Sequence, residues 1–459
     1  MNSLRKWFVQ SKINWLYFLL ACLPVACTSQ EVTDKLDNYL KAYLTNRYFS
    51  GAVLVAQKGK ILLRKGYGMA NDEQGIPVLP ETKFRIASLT KSFTAMAVMQ
   101  LEEAGKLSLE DKLQQYLPTY PRGGDITLFQ ILHHTSGIPD LLAFPAYWEK
   151  LQDTCTAAEA VEIFKNQPLN FEPGSQWEYS NSNYVLLGYI IENITGQGLP
   201  DYFEQHIFKP LGMKNTGWEG AMPIETFGAT GYQLQAQSRV AMPPVNMSVN
   251  HGAGALFSTV DDLYKWDRAL YTEKLVKRAT LEKIFTPHLN AYGGGWGIMP
   301  HQRFGKAFIF MNGRFSGFSA NISRYPDDDI CIIVLSNLMD IDPRIIGDNL
   351  AAILFGEEVV KPSSRTRKEV PSEVLRQYVG TFHFEKMSPP LDVEITLDGN
   401  GKLWRSIAGR PDKELIPAEE NVFFYEDNDV DIVFENVGNE QYNKMLMNLL
   451  GAPYTGYRI

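Results

Sequence analysis

The chain has 459 residues, 45% apolar and 12% aromatic, which is enough to bury a large core and to form two or three domains. Its formal charge of −8 is spread along the sequence without a long basic run, which argues against a nucleic-acid partner. Two of the four cysteines, Cys22 and Cys27, lie in the opening segment; Cys155 and Cys331 remain, leaving room for one disulfide but not a disulfide scaffold, and no Cys/His spacing fits a zinc site.

Residues 1–27 read as an export signal. Arg5, Lys6 and Lys12 precede the apolar run Ile13–Cys22, which is too short for a comfortable membrane span, and no acidic residue occurs before Glu31. Leu19-Leu-Ala-Cys22 is similar to a bacterial lipoprotein cleavage box and Pro24-Val-Ala-Cys27 is a second candidate, so either cysteine is a candidate lipid anchor. A plain signal peptide and a single anchor helix are the alternatives. A periplasmic or membrane-anchored protein is the expectation.

Residues 31–47 carry an amphipathic helical pattern through Val32, Leu36, Tyr39, Leu40 and Leu44. Two strand-like runs follow, Gly51–Gln57 and Lys60–Gly66, joined by Lys58-Gly59. In Phe84-Arg-Ile-Ala-Ser-Leu-Thr-Lys-Ser-Phe93, Ser88 and Lys91 stand three apart where an apolar helical stripe begins, so they share a face. A serine hydroxyl needs a neighbouring base to become a nucleophile, and Lys91 serves only if burial lowers its proton affinity. The helix N-terminus adds N–H groups suited to an anionic intermediate. Alone, Ser-x-x-Lys occurs by chance on many solvated helices.

The region from about 100 to 290 reads as helix and loop. Within it, Glu172-Pro-Gly-Ser-Gln-Trp-Glu-Tyr-Ser-Asn-Ser-Asn-Tyr184 places Tyr179 and Asn181 on one turn before a helix. Tyr179 as phenolate would share the base role, and Asn181 would bind a substrate carbonyl or orient Lys91. His133 and His134 adjoin the turn Ile-Pro-Asp140 and read as structure flanking the site rather than triad members; His251 reads as a turn residue, with a loop residue lining the cleft as the alternative. Strands return over about 306–336, before a helix at 343–355. One antiparallel sheet built from both ends of the domain, with helices inserted between, is predicted.

These motifs together resemble the serine β-lactamase and penicillin-binding protein family, in the branch with class C β-lactamases, D-Ala-D-Ala carboxypeptidases, D-aminopeptidases and related esterases. Ser88-Leu-Thr-Lys91 and Tyr179-Ser-Asn181 match its first two motifs; Leu132-His-His-Thr-Ser-Gly137, Pro210–Gly217, Gly252–Leu263 and Gly294-Gly-Trp-Gly297 follow in family order. The resemblance implies an α/β (α+β) fold of the β-lactamase/transpeptidase type over 31–358. It implies a Ser88 acyl-enzyme with Lys91 and Tyr179 relaying the proton, no metal and no cofactor. One oxyanion donor would be the Ser88 N–H. Where the family carries Lys-Thr-Gly or His-x-Gly, this chain has Met311-Asn-Gly313, so the cation that helps hold a substrate carboxylate is missing. Gly313 keeps the close approach and the N–H of Arg314 would be the second oxyanion donor; Arg314 or Arg303 is a candidate displaced cation. A peptidase or esterase acting on an ester or amide is expected ahead of β-lactam hydrolysis. The alternative is a binding protein that keeps the fold without turnover.

Residues 359–373 are polar and Pro-containing, hence a linker, and 374–459 alternate with period two around turns such as Asp398-Gly-Asn-Gly-Lys402. This predicts a small all-β barrel, and it resembles the lipocalin-like domain appended to some family members.

Overall fold

The computed structural model describes residues 29–47, 49–220, 222–235, 238–357, 359, 366–385, 390–425, 431–437, 442–449 and 452–459. The expected export signal with Cys22 and Cys27 lies outside them, as does part of the expected linker. No helix among the described residues is long and apolar enough to cross a membrane.

Helix α1 (Ser29–Arg47) leads into strands β1 (Gly51–Gln57) and β2 (Lys60–Tyr67). Helix α2 (Thr90–Glu103) follows, then α3 (Asn181–Thr195) and α4 (Val260–Ala269) in the inserted region. Strands β3 (Gly297–Arg303), β4 (Lys306–Phe315), β5 (Phe318–Tyr325) and β6 (Ile330–Ser336) precede α5 (Pro343–Leu354). The sheet order is β3-β4-β5-β6-β1-β2, so the first and last parts of the domain meet where β1 pairs antiparallel with β6, Val53 opposite Val334.

Every residue of β5 and β6 is buried, because both sheet faces are covered. Val53, Val55, Ile332 and Val334 pack with Leu36 and Leu40 of α1 and Ile346 and Leu350 of α5. Their alternate neighbours, Ala52, Leu54, Ile333 and Leu335, join the larger core with Phe93, Met96 and Leu101 of α2. The period-two pattern of the strands thus sorts one chain into two cores. Cys155 and Cys331 are buried free thiols.

The C-terminal strands, β7 (Gly380–Phe384), β8 (Leu391–Leu397), β9 (Leu403–Ile407), β10 (Arg410–Pro417), β11 (Val422–Phe424), β12 (Asp431–Glu435), β13 (Lys444–Leu449) and β14 (Ala452–Arg458), form a closed barrel. Phe382, Val393, Leu403, Phe423, Phe434 and Met445 meet in its core. The Asp398–Lys402 turn closes the β8–β9 hairpin, with Asp398 Oδ1 accepting the N–H groups of Asn400 and Lys402. Part of the expected linker is ordered: Ser372–Leu375 is a short helix, and the Lys368 N–H donates to the Pro417 carbonyl at 2.9 Å.

Candidate active site

Ser88 is presented by a tethered turn. The short strand Phe84–Arg85 pairs with Leu256–Ser258, and the Ile86 N–H donates to the Leu256 carbonyl at 3.0 Å. Arg85, fully buried, donates to both carboxylate oxygens of Glu219 at 2.8 and 2.5 Å and to the Ser316 carbonyl at 3.0 Å, locking the turn to the end of β4. The sequence predicts one helix running through both 88 and 91. Instead Ala87–Leu89 is a 3-10 turn with Ala87 at φ +45°, and α2 begins at Thr90. The left-handed residue redirects the chain just before the serine. From 84 to 99 every residue is buried except Ser88, which is half-exposed.

Lys91 is fully buried, and its Nζ lies 3.0 Å from Ser88 Oγ, 2.7 Å from Asn181 Oδ1 and 2.8 Å from the Ala253 carbonyl. Burial pulls its pKa from 10.5 down to about 7, against the opposing pull of the Asp140 charge. A neutral amine donates its two N–H bonds to the two carbonyl-type oxygens and keeps its lone pair for the Ser88 hydroxyl. The Tyr179 hydroxyl donates to Ser88 Oγ at 2.9 Å from the other side. Burial, reinforced by Tyr292, pushes the Tyr179 phenol well above 10.0. That corrects the phenolate expectation: the resting group is a neutral phenol, able to pass a proton rather than hold a charge.

Asn181 is not on the turn but opens α3, one residue past the N-cap Ser180. Its Nδ2 donates to Asp140 Oδ2 at 2.9 Å and Oδ1 at 3.2 Å, which turns Asn181 Oδ1 toward Lys91. Asn181 therefore orients the lysine.

The end of β4 supplies the opposite wall. A Cβ on Gly313 would stand 2.1 Å from the Ile86 carbonyl oxygen and 3.0 Å from the Ser88 nitrogen, so only glycine allows this strand against the nucleophile turn. Met311 is buried, pairs with Ile322 and packs in the core shared with α2, bringing a thioether and no charge. The Arg314 side chain is exposed and donates to the Ile341 carbonyl at 3.2 Å, so its guanidinium is engaged there. The Arg303 side chain lies outside what the structure describes.

A family model described as Beta-lactamase matches residues 36–356. The chain belongs to the β-lactamase family. Penicillin-binding protein 4* of Bacillus subtilis (strain 168) is 31% identical over 413 residues, covering 84% of this chain and 90% of its own. An octameric penicillin-binding protein homologue from Pyrococcus abyssi superposes with a TM-score of 0.65 at 25% identity, over 93% of this chain and 99% of that one. D-amino acid amidase from Ochrobactrum anthropi SV3, complexed with D-phenylalanine, gives 0.61 at 25% identity over 71% and 99%. The fold predicted from the motifs, a mixed α/β domain of this family followed by a barrel, is the fold observed.

For this member of the β-lactamase family, two partners of Lys91 escape sequence reading. Asp140 sits in the Ile-Pro-Asp turn, visible as a turn but not as the carboxylate behind Asn181. The Ala253 carbonyl acts through backbone, 162 positions from Lys91, within the predicted family stretch Gly252–Leu263. His251, expected as a turn residue, opens the short helix His251–Gly254 buried against Trp218, with Nε2 3.2 Å from Glu192. His134 lies directly under Tyr179, their rings 4.6 Å apart.

Proposed function

We propose that this chain is an exported serine hydrolase that cleaves an ester or amide through a Ser88 acyl-enzyme. The observation carrying the proposal is the buried Lys91 amine, aimed at Ser88 by two carbonyl oxygens while a neutral Tyr179 hydroxyl approaches from the other side. Lys91 takes the Ser88 proton as Oγ attacks the carbonyl carbon; Tyr179 passes a proton to the leaving group; water then releases the acyl product. The Ser88 N–H and the Arg314 N–H beside Gly313 receive the oxyanion.

Met311 sets the substrate class. The corresponding position in the family's third motif carries a cation for a substrate carboxylate, and Met311 brings none, while the Arg314 side chain is occupied at Ile341. Substrates lacking a carboxylate beside the scissile bond, such as neutral esters or amino-acid amides, fit this wall better than penicillins or D-Ala-D-Ala peptides. The D-amino acid amidase among the structural neighbours supports the amide side of that choice. The basic then apolar opening segment supports export, with Cys22 or Cys27 as the lipid acceptor of a membrane-anchored form.

The test is a turnover comparison of nitrophenyl esters, D- and L-amino-acid amides and benzylpenicillin, in wild type and Met311→Lys. The expected result is ester or amide turnover lost in Ser88→Ala, and penicillin acylation that improves about 10- to 100-fold in Met311→Lys, the worth of one charge-assisted hydrogen bond. Wild-type penicillin turnover exceeding every ester and amide would overturn the substrate assignment. No turnover of any of them, with ligand still bound, would favour a binding protein, for which the uncharged third motif speaks.

A further inference from the structure

His134 is fully buried and lies outside the proton relay. Its backbone is at φ +59°, in the left-handed region that histidine seldom adopts. That conformation is held by the Glu178 N–H, which donates to the His134 carbonyl at 3.0 Å. The ring is enclosed by Tyr179, Tyr184 and Tyr292, at 4.6, 5.2 and 4.8 Å between centroids.

Hydrogen bonds around the ring fix its tautomer. The Ile138 N–H donates to Ser136 Oγ at 3.1 Å, so the Ser136 proton goes to Asn183 Oδ1 at 2.7 Å. That turns Asn183 Nδ2 to His134 Nδ1, 3.2 Å away. The Ser180 N–H donates to the same nitrogen at 3.2 Å. Two donors converge on Nδ1, so it is bare and the ring proton sits on Nε2, which has no hydrogen-bond partner among the described residues. Protonating Nδ1 would set three N–H bonds against one another. Burial agrees, holding the imidazole well below its usual range.

Ser180 is the residue between Tyr179 and Asn181. We infer, on the reading of Ser88 as nucleophile, that His134 is a positioning residue for acylation: its Nδ1 clamps the Ser180 peptide and so sets where the Tyr179 hydroxyl and the Asn181 amide meet Ser88 and Lys91. A displacement of about 1 Å at such a site costs on the order of 10²-fold in rate. An apolar ring would fill the space but leave the Ser180 and Asn183 donors buried without an acceptor.

The side chains of asparagine and glutamine separate clamp from filler. Asn Oδ1 falls near the place of Nδ1 and asparagine tolerates the left-handed backbone, whereas the Gln carbonyl reaches toward Nε2. The experiment measures the saturating rate and the half-saturating concentration for Ser88 labelling by a fluorophosphonate in wild type, His134→Asn, His134→Gln and His134→Leu. Expected is a saturating rate within about fivefold of wild type for Asn and at least about 50-fold slower for Gln and Leu, with half-saturation unchanged. Equal rates in all variants, or Leu outperforming Asn, would overturn the inference. Independently of any variant's folding, nitrogen NMR of the histidine-labelled wild type should show Nδ1 bare and Nε2 protonated for His134; a protonated Nδ1 would overturn it. Absence of Ser88 labelling in the wild type would instead sink the proposed function and leave the tautomer result standing.

Discussion

The desolvation of Lys91 has a measurable signature in both rate and stability. A fall in pKa from 10.5 to about 7 disfavours the buried ammonium by about 5 kcal/mol, at about 1.4 kcal/mol per pH unit. Two consequences have opposite readouts. Since Lys91 must be neutral to accept the Ser88 proton, the rate of Ser88 acylation rises with pH through about 7 and is level above about 8. Lys91→Met removes the base and slows acylation by about 10²- to 10⁴-fold at all pH values. Stability moves differently. The folded pKa lies below the unfolded one, so between about 7 and 10.5 the unfolded chain binds more protons and wild-type stability climbs with pH; below about 7 the full cost of burial is present. Lys91→Met escapes that cost, while the Asn181 and Ala253 oxygens it strands impose a penalty that does not depend on pH. The wild-type minus mutant unfolding free energy, from urea titrations at pH 6 and pH 10, should therefore increase by several kcal/mol from the lower to the higher pH. A difference that stays flat, or an acylation profile whose acid limb lies near pH 10, would refute the reasoning that Lys91 is the desolvated base.

Gly313→Ala should abolish acylation by at least about 10²-fold, because the new methyl would meet the Ile86 carbonyl oxygen at 2.1 Å and push β4 from the serine; labelling at the wild-type rate would show that the strand is not held there. Asp140→Ala frees the Asn181 amide and removes the charge that sustains the Lys91 ammonium. Acylation should slow by about 10- to 100-fold while its acid limb moves to lower pH, and a limb that stays in place would remove Asp140 from the relay. Phe434→Ala should destabilise the barrel by about 3–5 kcal/mol in denaturant titration, since the ring is fully buried against Tyr378, Phe382 and Phe423; a loss under about 1 kcal/mol would contradict a packed barrel core.

What could be read from sequence was local. Ser88 and Lys91 are three positions apart and Tyr179 and Asn181 two, so short spacings carried them; continuous apolar runs carried the central strands, and period-two alternation carried the barrel. The start of α2 was misplaced because apolar periodicity says nothing of the positive φ at Ala87, which makes a 3-10 turn out of what reads as a first helical turn. Tyr179 reads as a base when only its proximity is considered; its burial, a tertiary property, makes it a neutral phenol. The Ala253 carbonyl reaches Lys91 across the fold, and Asp140 acts on it through Asn181 and through its charge; a backbone oxygen has no signature in residue identity at all. Arg314 illustrates the limit of strand alternation: Gly313 faces the serine, and the next side chain is consequently on the other face, bonded to Ile341.

The central claim is an activated Ser88, and intact-mass analysis of the purified protein after fluorophosphonate treatment tests it most directly. One adduct per chain is expected in the wild type and none in Ser88→Ala. An adduct that persists in Ser88→Ala, or a wild type that remains unmodified at pH 8 where Lys91 is neutral, would contradict it.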